Sequence, residues 1–186
     1  LSQESEAAAI LYRTSVTGET PLVFTDIYQP KTNIVIWQRR LPVSMQTALR
    51  DYLQVNAMRK ITQVVEPDSA LQELSHILDD FEYGVQIREY IAELVDMFAC
   101  LFDLKRVGLR LAVLEHAMCP RFHVDKVPCR LVTTFCGAAT QWLPHQQANR
   151  DKLATGDSDE TSGLYADSSC VHSLAVGDVA LLKGEL

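Results

Sequence analysis

The pattern of hydrophobic and polar positions changes near the middle of the chain. In the first half, apolar residues recur every three or four positions, which is the spacing of one face of an amphipathic helix. Pro67-Asp68-Ser69 indicates a helix start, and Gly84 indicates a break. Three helical faces result: Met45, Ala48, Tyr52, Val55, Met58 and Ile61; then Leu71, Leu74, Ile77 and Leu78; then Ile87, Ile91, Leu94, Val95, Phe98 and Leu101.

Runs rich in β-branched and aromatic residues stand on either side of these helices. Before them, Pro21–Ile27 and Asn33–Trp37 are divided by Pro30, and we predict that they are strands or extended segments that join the edge of a sheet. After them, four further runs have strand character. These runs are Val107–Leu114, Val127–Phe135, Thr140–Leu143 and Val176–Leu182.

Helices followed by strands predict an α+β fold in which the helices pack on one side of a sheet or barrel. The length of 186 residues suits a single domain with a buried core. Within it we expect a helical layer at about residues 44–104 packed on a double-stranded β-helix core at about residues 107–186. The polar stretch between Pro144 and Ser173 is long for a connection, so we expect a functional loop or weak order there.

The composition argues against several classes of protein. A formal net charge of −7, with Arg39-Arg40 as the tightest basic cluster, disfavours a nucleic-acid partner. The five cysteines are never spaced as CxxC, so they indicate neither a disulfide framework nor a zinc ribbon, and they suit a reducing cytoplasm. The chain contains neither an apolar run of membrane-spanning length nor a signal-peptide pattern. We therefore expect a cytoplasmic protein that does not enter a membrane.

His123 and Asp125 carry the clearest chemical signal. Two residues apart on an extended segment, their side chains point to the same side. Imidazole and carboxylate begin the two-histidine, one-carboxylate triad, which leaves metal positions free for a co-substrate and dioxygen. An isolated HxD triplet is more often an ordinary surface or core pair. Its place between apolar strands, upstream of a Gly-Asp-hydrophobic strand, follows the order of double-stranded β-helix (jelly-roll or cupin-like) oxygenases and favours the metal site.

A family resemblance rests on four segments: Cys119-Pro-Arg-Phe-His-Val-Asp125, Arg130-Leu-Val-Thr-Thr134, Gly137-Ala-Ala-Thr-Gln-Trp142 and Gly177-Asp-Val-Ala-Leu-Leu-Lys-Gly-Glu185. Together they resemble the uncharacterised bacterial family called domain of unknown function 1826. The resemblance spans most of the chain and is sharpest from Cys119 to Glu185. The sequence also has a distant similarity to iron(II)/2-oxoglutarate dioxygenases of the double-stranded β-helix fold.

The resemblance implies more of the site than the HxD triplet does. In the family pattern, the strand ending at Glu185 is followed by a Val-His-Arg-Ser-Pro-like segment, which would supply a distal histidine. We expect that this sequence is truncated before that segment. By analogy with the dioxygenases, a further arginine would anchor a co-substrate carboxylate. The implied cofactors are iron(II), with zinc as the other candidate metal, and 2-oxoglutarate as co-substrate.

Five other residues are candidates for roles at this centre. Within the sequence, His172 is preferred over His145 as a third ligand because it lies close to the returning strand, although each is more often an ordinary loop histidine. Arg130 and Lys183 could bind the carboxylate of an oxo acid, and Thr133 could line the same cavity. The ordinary interpretations are an ion pair, a strand-end lysine and a strand-forming threonine.

The leading functional hypothesis is an iron(II)/2-oxoglutarate-dependent oxygenase acting on an unidentified small molecule or protein. A non-catalytic cupin-like module that binds a ligand or a partner protein is the alternative, because the motif fixes no third ligand. A zinc hydrolase-like site ranks third. Cys119 and Cys129 flank the HxD segment and, as soft ligands, would favour zinc, but no general base stands out.

Overall fold

The computed structural model describes residues 12–56, 60–114, 121–153 and 162–185, and the structural statements below concern these residues. Helices and strands are mixed, so the predicted α+β class is confirmed. The elements follow in the order β1 (Thr14–Gly18), β2 (Thr32–Trp37), α1 (Val43–Val55), β3 (Ile61–Val65), α2 (Ala70–Glu73), α3 (Gly84–Phe102), β4 (Val107–Leu111), β5 (Cys129–Thr133), β6 (Gln141–Trp142), β7 (His172–Ser173) and β8 (Val179–Lys183).

The chain divides into two compact units. Unit 1 consists of residues 1–41 together with residues 117–186, and unit 2 consists of residues 42–116. Unit 2 is therefore inserted between the two parts of the chain that make up unit 1. His123 and Asp125 both belong to unit 1. None of the described helices has the length and apolar character needed to cross a membrane.

Unit 1 is built on a four-stranded sheet with the order β1-β2-β8-β5. The β1–β2 pair is parallel, while β2–β8 and β8–β5 are antiparallel. The inner strands are buried on both faces, since Ile34, Val35 and Ile36 of β2 and Val179, Ala180 and Leu181 of β8 are all buried. Strands that are covered on both faces have continuous apolar runs rather than alternating ones, as these two do.

The two faces of this sheet are covered by different segments. On one face, Ile34, Ile36 and Ala180 form a buried cluster with Leu174, and Trp142 of β6 packs against it. On the other face, the ring of Trp37 meets the ring of Phe24 edge-on, with 5.9 Å between their centroids. The small β6–β7 ribbon therefore contributes to one layer, and a 3-10 helix at Pro21–Tyr28 contributes to the other.

The Gly-Asp pair before β8 forms the turn that starts this strand. Gly177 has a φ of +94°, which glycine tolerates because it has no Cβ. An added Cβ would also lie 2.5 Å from the carbonyl oxygen of Arg39. The buried carboxylate of Asp178 accepts a hydrogen bond from the backbone N–H of Ala175, at 2.8 Å. The motif therefore has a structural role in directing the chain into β8.

Unit 2 contains the longest helix, and its predicted apolar face is confirmed. Ile87, Ile91, Leu94 and Val95 of α3 are buried. Strands β3 and β4 pair as an antiparallel ribbon with Ile61 opposite Leu111. The first predicted strand after the helices thus pairs within unit 2 and does not belong to the sheet of unit 1.

Three predictions about individual elements are wrong. Pro21–Tyr28 is a 3-10 helix and not a strand, because Pro21 presets the helical φ and the i, i+3 pair Phe24 and Ile27 turns inward together. The first helix ends at Val55, and Ile61 belongs to β3. Met58 lies outside the described residues. The second helix is only the four residues Ala70–Glu73, preceded by a 3-10 turn.

One other prediction is confirmed in part. Asn33–Trp37 is a strand, although it lies inside the sheet between β1 and β8 and not at its edge. The polar stretch after Pro144 is described except for residues 154–161, and it contains short 3-10 turns at His145–Gln147, Arg150–Lys152 and Ser168–Cys170.

Candidate metal site

The HxD segment lies in irregular chain shortly before β5. Two backbone hydrogen bonds fasten it to the end of β8: Glu185 N–H donates to Asp125 O at 2.9 Å, and Gly184 N–H donates to Pro128 O at 3.1 Å. A Cβ on Gly184 would lie 2.0 Å from the carbonyl oxygen of Val127. Glycine at this position therefore permits a close approach of the two chains that a side chain would prevent.

His123 and Asp125 bring their side chains together, as their spacing predicts. His123 Nε2 lies 3.3 Å from Asp125 Oδ1. The second carboxylate oxygen, Oδ2, lies 3.1 Å from Arg130 Nε on β5. The Asp125 side chain is 11% exposed, whereas His123 is about half-exposed. Asp125 is thus held from one side by Arg130 and presents its other oxygen to the imidazole.

The backbone defines which nitrogen of His123 carries a proton. His123 Nδ1 lies 3.0 Å from the carbonyl oxygen of Arg121, and a carbonyl can only accept a hydrogen bond. Nδ1 is therefore the donor, and in a neutral imidazole Nε2 then carries a lone pair. That lone pair faces a carboxylate oxygen, and two acceptors repel each other at this distance unless a proton or another cation lies between them.

A metal ion fits this donor set. Histidine ligands of metals usually donate their second ring nitrogen to a carbonyl or carboxylate, and ligating carboxylates are themselves hydrogen-bonded, as His123 and Asp125 are here. Two ligands at right angles with bonds of about 2.1 Å would lie about 3 Å apart, close to the observed 3.3 Å. The other arrangement that satisfies the contact is a protonated imidazole in an ion pair with Asp125.

The candidates for a third metal ligand are not grouped with this pair among the described residues. In the part of the chain that the structure describes, no three His, Cys, Asp or Glu side chains form a metal-binding group. His172 of β7 stacks on Trp142, with ring centroids 4.8 Å apart. His116 and Cys119 lie outside the described residues.

Arg130 and Lys183 lie on opposite faces of the sheet. Arg130 is opposite Leu182 in the β5–β8 register, and Lys183 is opposite Cys129. Directly opposed residues share a face and neighbours along a strand alternate. Thr133 falls on the Lys183 face, where its Oγ1 is buried and has no hydrogen-bond partner among the described residues. Arg130 alone of these three contacts the HxD pair.

Burial modifies the ionisation of groups on the Lys183 face. It raises the pKa of the Cys129 thiol to about 11, so this sulfur is a neutral thiol at physiological pH. Burial and then the charge of Arg13 lower the pKa of Lys183, whose ammonium donates to the carbonyl oxygen of Gln29 at 3.1 Å. Cys129 lies on the face of the sheet opposite to that of Arg130, which contacts Asp125, so its side chain is not directed to the HxD pair.

One residue that positions the site had no assigned role in the sequence. Gly184 and the residue after it fasten the HxD segment to β8, although both lie about sixty residues further along the chain. The Lys-Gly-Glu ending of the strand was part of the family pattern. A glycine directly after an apolar strand is a signal of close backbone approach, and it could have indicated this role.

The fold and the site define an α+β protein with a histidine–carboxylate pair fixed beside the end of its main sheet. The family comparison identifies it further. The chain matches the family described as protein of unknown function (DUF1826) over residues 18–186, and it belongs to that family. The predicted resemblance is thereby confirmed. No curated protein and no solved structure matches the chain, so the similarity to dioxygenases stays a prediction.

Proposed function

We propose that unit 1 is a double-stranded β-helix that binds iron(II) through His123 and Asp125 and serves as a 2-oxoglutarate-dependent oxygenase. The observation that carries the metal assignment is the orientation of His123. Its Nδ1 is used on the carbonyl oxygen of Arg121, so Nε2 is directed at Asp125 Oδ1. A cation between these two atoms removes a repulsion that the backbone would otherwise impose.

The proposed fold is supported by how unit 1 is layered. Its sheet is covered on both faces, and three of its four strands pair antiparallel. The HxD segment leads directly into β5, and Arg130 and Val132 face the same side as the apolar cluster around Ile34 and Ala180. The edge strand β1, which pairs parallel with β2, would be an addition to the β-helix.

The residues of the proposed metal site would have different roles. His123 and Asp125 would hold the metal, the carbonyl oxygen of Arg121 would orient the imidazole, and Arg130 would orient the carboxylate. Iron(II) in such a site supplies dioxygen activation coupled to oxidation of an oxo acid. Arg130 is then a positioning residue and not the anchor for the co-substrate carboxylate.

Metal analysis of the purified protein tests the proposal. Wild type should carry stoichiometric iron after anaerobic loading, and both His123→Ala and Asp125→Ala should lose it. The matched controls are His76→Ala and Asp96→Ala, which remove exposed side chains of the same kind in unit 2 and should leave the iron content unchanged. Equal metal content in wild type and both HxD variants would rule out the site.

A second measurement separates the oxygenase from its alternatives. Oxygen uptake should depend on 2-oxoglutarate when iron is bound, and its absence would remove the co-substrate assignment. Retention of zinc in preference to iron would favour the hydrolase-like site. The non-catalytic binding module is favoured by one observation, that the described residues supply only two of the metal ligands. Failure of wild type to bind any metal would select it.

A further inference from the structure

A cluster of basic side chains forms where β8 ends, in a chain whose net charge is −7. Arg13 comes from the segment before β1, His145 and Arg150 from the two 3-10 turns after β6, and Lys183 from β8 itself. We call these four residues the basic cluster. Three stretches of unit 1 that are distant in sequence therefore contribute to one place.

Contacts place Arg13 and Arg150 together with the turn that carries His145. The sheet register brings Lys183 to the same end of the sheet as Arg13, because the adjacent residues Leu182 and Thr14 lie opposite Ile34 and Thr32 of β2. Glu185 Oε1 pairs with Arg150 Nη2 and lies 4.0 Å from Arg13 Nη1. The side-chain amide of Gln146 donates to the carbonyl oxygen of Arg13 at 2.7 Å, which joins the turn carrying His145 to the segment before β1. Glu185 is the acidic member of this network.

The positive charge of the cluster exceeds its negative charge. Arg13, Arg150 and Lys183 contribute three positive charges, and Glu185 contributes one negative charge. The arginine side chains are mostly buried, at 17% and 33% exposed. Like charges that are partly buried repel each other more strongly than fully exposed ones, because less solvent screens them. An incoming anion would relieve this repulsion.

The positive charge of the cluster changes the pKa values of its own members. Burial, then the charges of Arg150 and Arg13, lower the pKa of His145, while Glu185 opposes them. The same charge of Arg13, after burial, lowers the pKa of Lys183. His145 is consequently neutral at physiological pH, and one of its ring nitrogens can donate to a ligand.

Two nitrogen atoms of the cluster are buried without hydrogen bonds. Arg13 Nε and His145 Nδ1 have no hydrogen-bond partner among the residues that the structure describes. Buried polar groups are ordinarily hydrogen-bonded, so such atoms are candidates for contact with a ligand or ion. These two nitrogens provide further hydrogen-bonding atoms beside the three positive charges.

We propose that the basic cluster is a binding site for a phosphate group, with Arg13, Arg150 and Lys183 as its charged contacts. A phosphate dianion would balance the two excess positive charges, and its oxygens would accept hydrogen bonds from several separate donors, whereas a carboxylate offers only two oxygens. Glu185 competes with this ligand because its carboxylate already occupies the arginines. The side chains of the basic cluster and of the metal site lie on opposite faces of the sheet, as Lys183 and Arg130 do, although the backbone N–H of Glu185 is hydrogen-bonded to Asp125.

Titration calorimetry with inorganic phosphate tests the proposal, at neutral pH, in low-salt buffer and with a chelator present. Arg150→Gln and Lys183→Gln should each weaken phosphate binding by roughly tenfold or more, because each loses a charge-assisted contact. Glu185→Gln should strengthen binding several-fold, because it removes the competing carboxylate. Arg50→Gln, which removes an exposed arginine from unit 2, is the matched control and should bind as wild type does.

The Glu185→Gln variant separates a binding site from a structural ion network. A network that only joins chain segments would be weakened by Glu185→Gln and would gain no phosphate affinity, and that result would overturn the proposal. Absence of phosphate binding by wild type, or equal binding by wild type and Arg150→Gln, would overturn it too. Circular dichroism of each variant shows that the fold is retained.

Two further ligands define the chemistry of the site. A phosphate monoester that binds more tightly than inorganic phosphate would identify the phosphate as part of an organic ligand, and the reverse order would identify the free ion. Tighter binding of 2-oxoglutarate than of either phosphate would contradict the proposal. His123→Ala should bind phosphate as wild type does, so failure of the metal site and failure of this site can be told apart.

Discussion

At the scale of single residues, the candidate metal pair depends on groups that are not themselves ligands. The carbonyl oxygen of Arg121 selects the tautomer of His123, and the guanidinium of Arg130 occupies one oxygen of Asp125. Either group can be lost without removing a ligand. Their effect should therefore be on affinity and orientation, and loss of the Arg130 contact is accessible to mutation.

Arg130→Ala should weaken iron(II) binding by about 10- to 100-fold, which is the range typical of lost support for a metal ligand. Arg130→Lys should restore part of the affinity, because it returns the charge without the planar guanidinium. Anaerobic competition with a chelator measures the affinity. The matched control is Arg110→Ala, an exposed arginine on β4. Wild-type affinity in Arg130→Ala would contradict the role given to this residue.

Cys129 provides a pH test of packing in unit 1. Burial raises its pKa from the ordinary 9.0 to about 11. Below pH 9 the thiol is protonated in both the folded and the unfolded chain, so it adds no pH dependence. Between pH 9 and about pH 11 the thiol is ionised in the unfolded chain but still protonated in the folded one, so the free energy of unfolding falls as pH rises. The loss should be on the order of 1 kcal/mol, because solvent screens a thiol that is only partly buried.

Urea unfolding below and above the ordinary thiol pKa measures this loss. Cys129→Ala should show a smaller decrease than wild type over the same pH interval, because the other titrating groups are common to both proteins. Cys100→Ala, which removes an exposed thiol in unit 2, should behave as wild type does. The same pH dependence in wild type and Cys129→Ala would show that the thiol is not desolvated in the folded protein.

At the scale of elements, β8 organises unit 1. It is paired on both sides, by β2 and by β5, and the residues directly after it fasten the HxD segment. The position of Asp125 is thus a property of the β8 end as much as of its own segment. Substitutions after β8 should affect the metal site although they alter no ligand.

Gly184→Ala should destabilise the protein by about 1–3 kcal/mol, because the new Cβ would overlap the carbonyl oxygens of Val127 and Asp125. Iron(II) affinity should fall as well, since the overlap pushes the HxD segment away from β8. Chemical denaturation and metal titration measure the two effects. Gly108→Ala is the control, because a Cβ there meets nothing within 4 Å, and its stability should stay within about 0.5 kcal/mol of wild type. Wild-type stability and affinity in Gly184→Ala would contradict the close approach.

The elements also show what local sequence can and cannot predict. Helix α3 was predicted because its apolar face repeats from Ile87 to Leu101, over about four turns, which is long enough to distinguish a helix from a strand. Pro21–Ile27 and Ile61 were assigned wrongly because short apolar runs fit a helix and a strand equally well, and their tertiary neighbours decide between the two. The contact between His123 and Asp125 was predictable since it is local. The contact of Arg130 with Asp125 and the close backbone approach at Gly184 depend on chain segments that meet only after folding.

At the scale of the whole molecule, the main sheet joins the two ends of the described chain. Strands β2 and β8 are adjacent in the sheet, with the whole of unit 2 between them in sequence. The hydrophobic pattern predicted a helical layer followed by a β core. It indicates whether each element is a helix or a strand, but it does not indicate which distant strand pairs with it. Bringing together strands so far apart in sequence costs conformational entropy before their contacts can stabilise the fold.

Hydrogen exchange followed by mass spectrometry tests this topology in the intact protein. Amides of Thr32–Trp37 and of Val179–Lys183 should be among the slowest to exchange, and they should become exposed together in mild denaturant. Amides of β1 should exchange faster, because it is the edge strand of this sheet. Early exchange of Thr32–Trp37 while Val179–Lys183 stays protected would contradict the pairing.

The most direct test of the metal assignment is anomalous diffraction. Crystals of the protein loaded anaerobically with iron(II) should give an anomalous peak at the iron edge between His123 Nε2 and Asp125 Oδ1, with Arg130 still on Asp125 Oδ2. Crystals of Asp125→Ala grown in the same way should give no peak there. Iron-loaded wild-type crystals with no peak at this position, and with the imidazole in direct contact with Asp125, would show instead that the two residues form a plain ion pair.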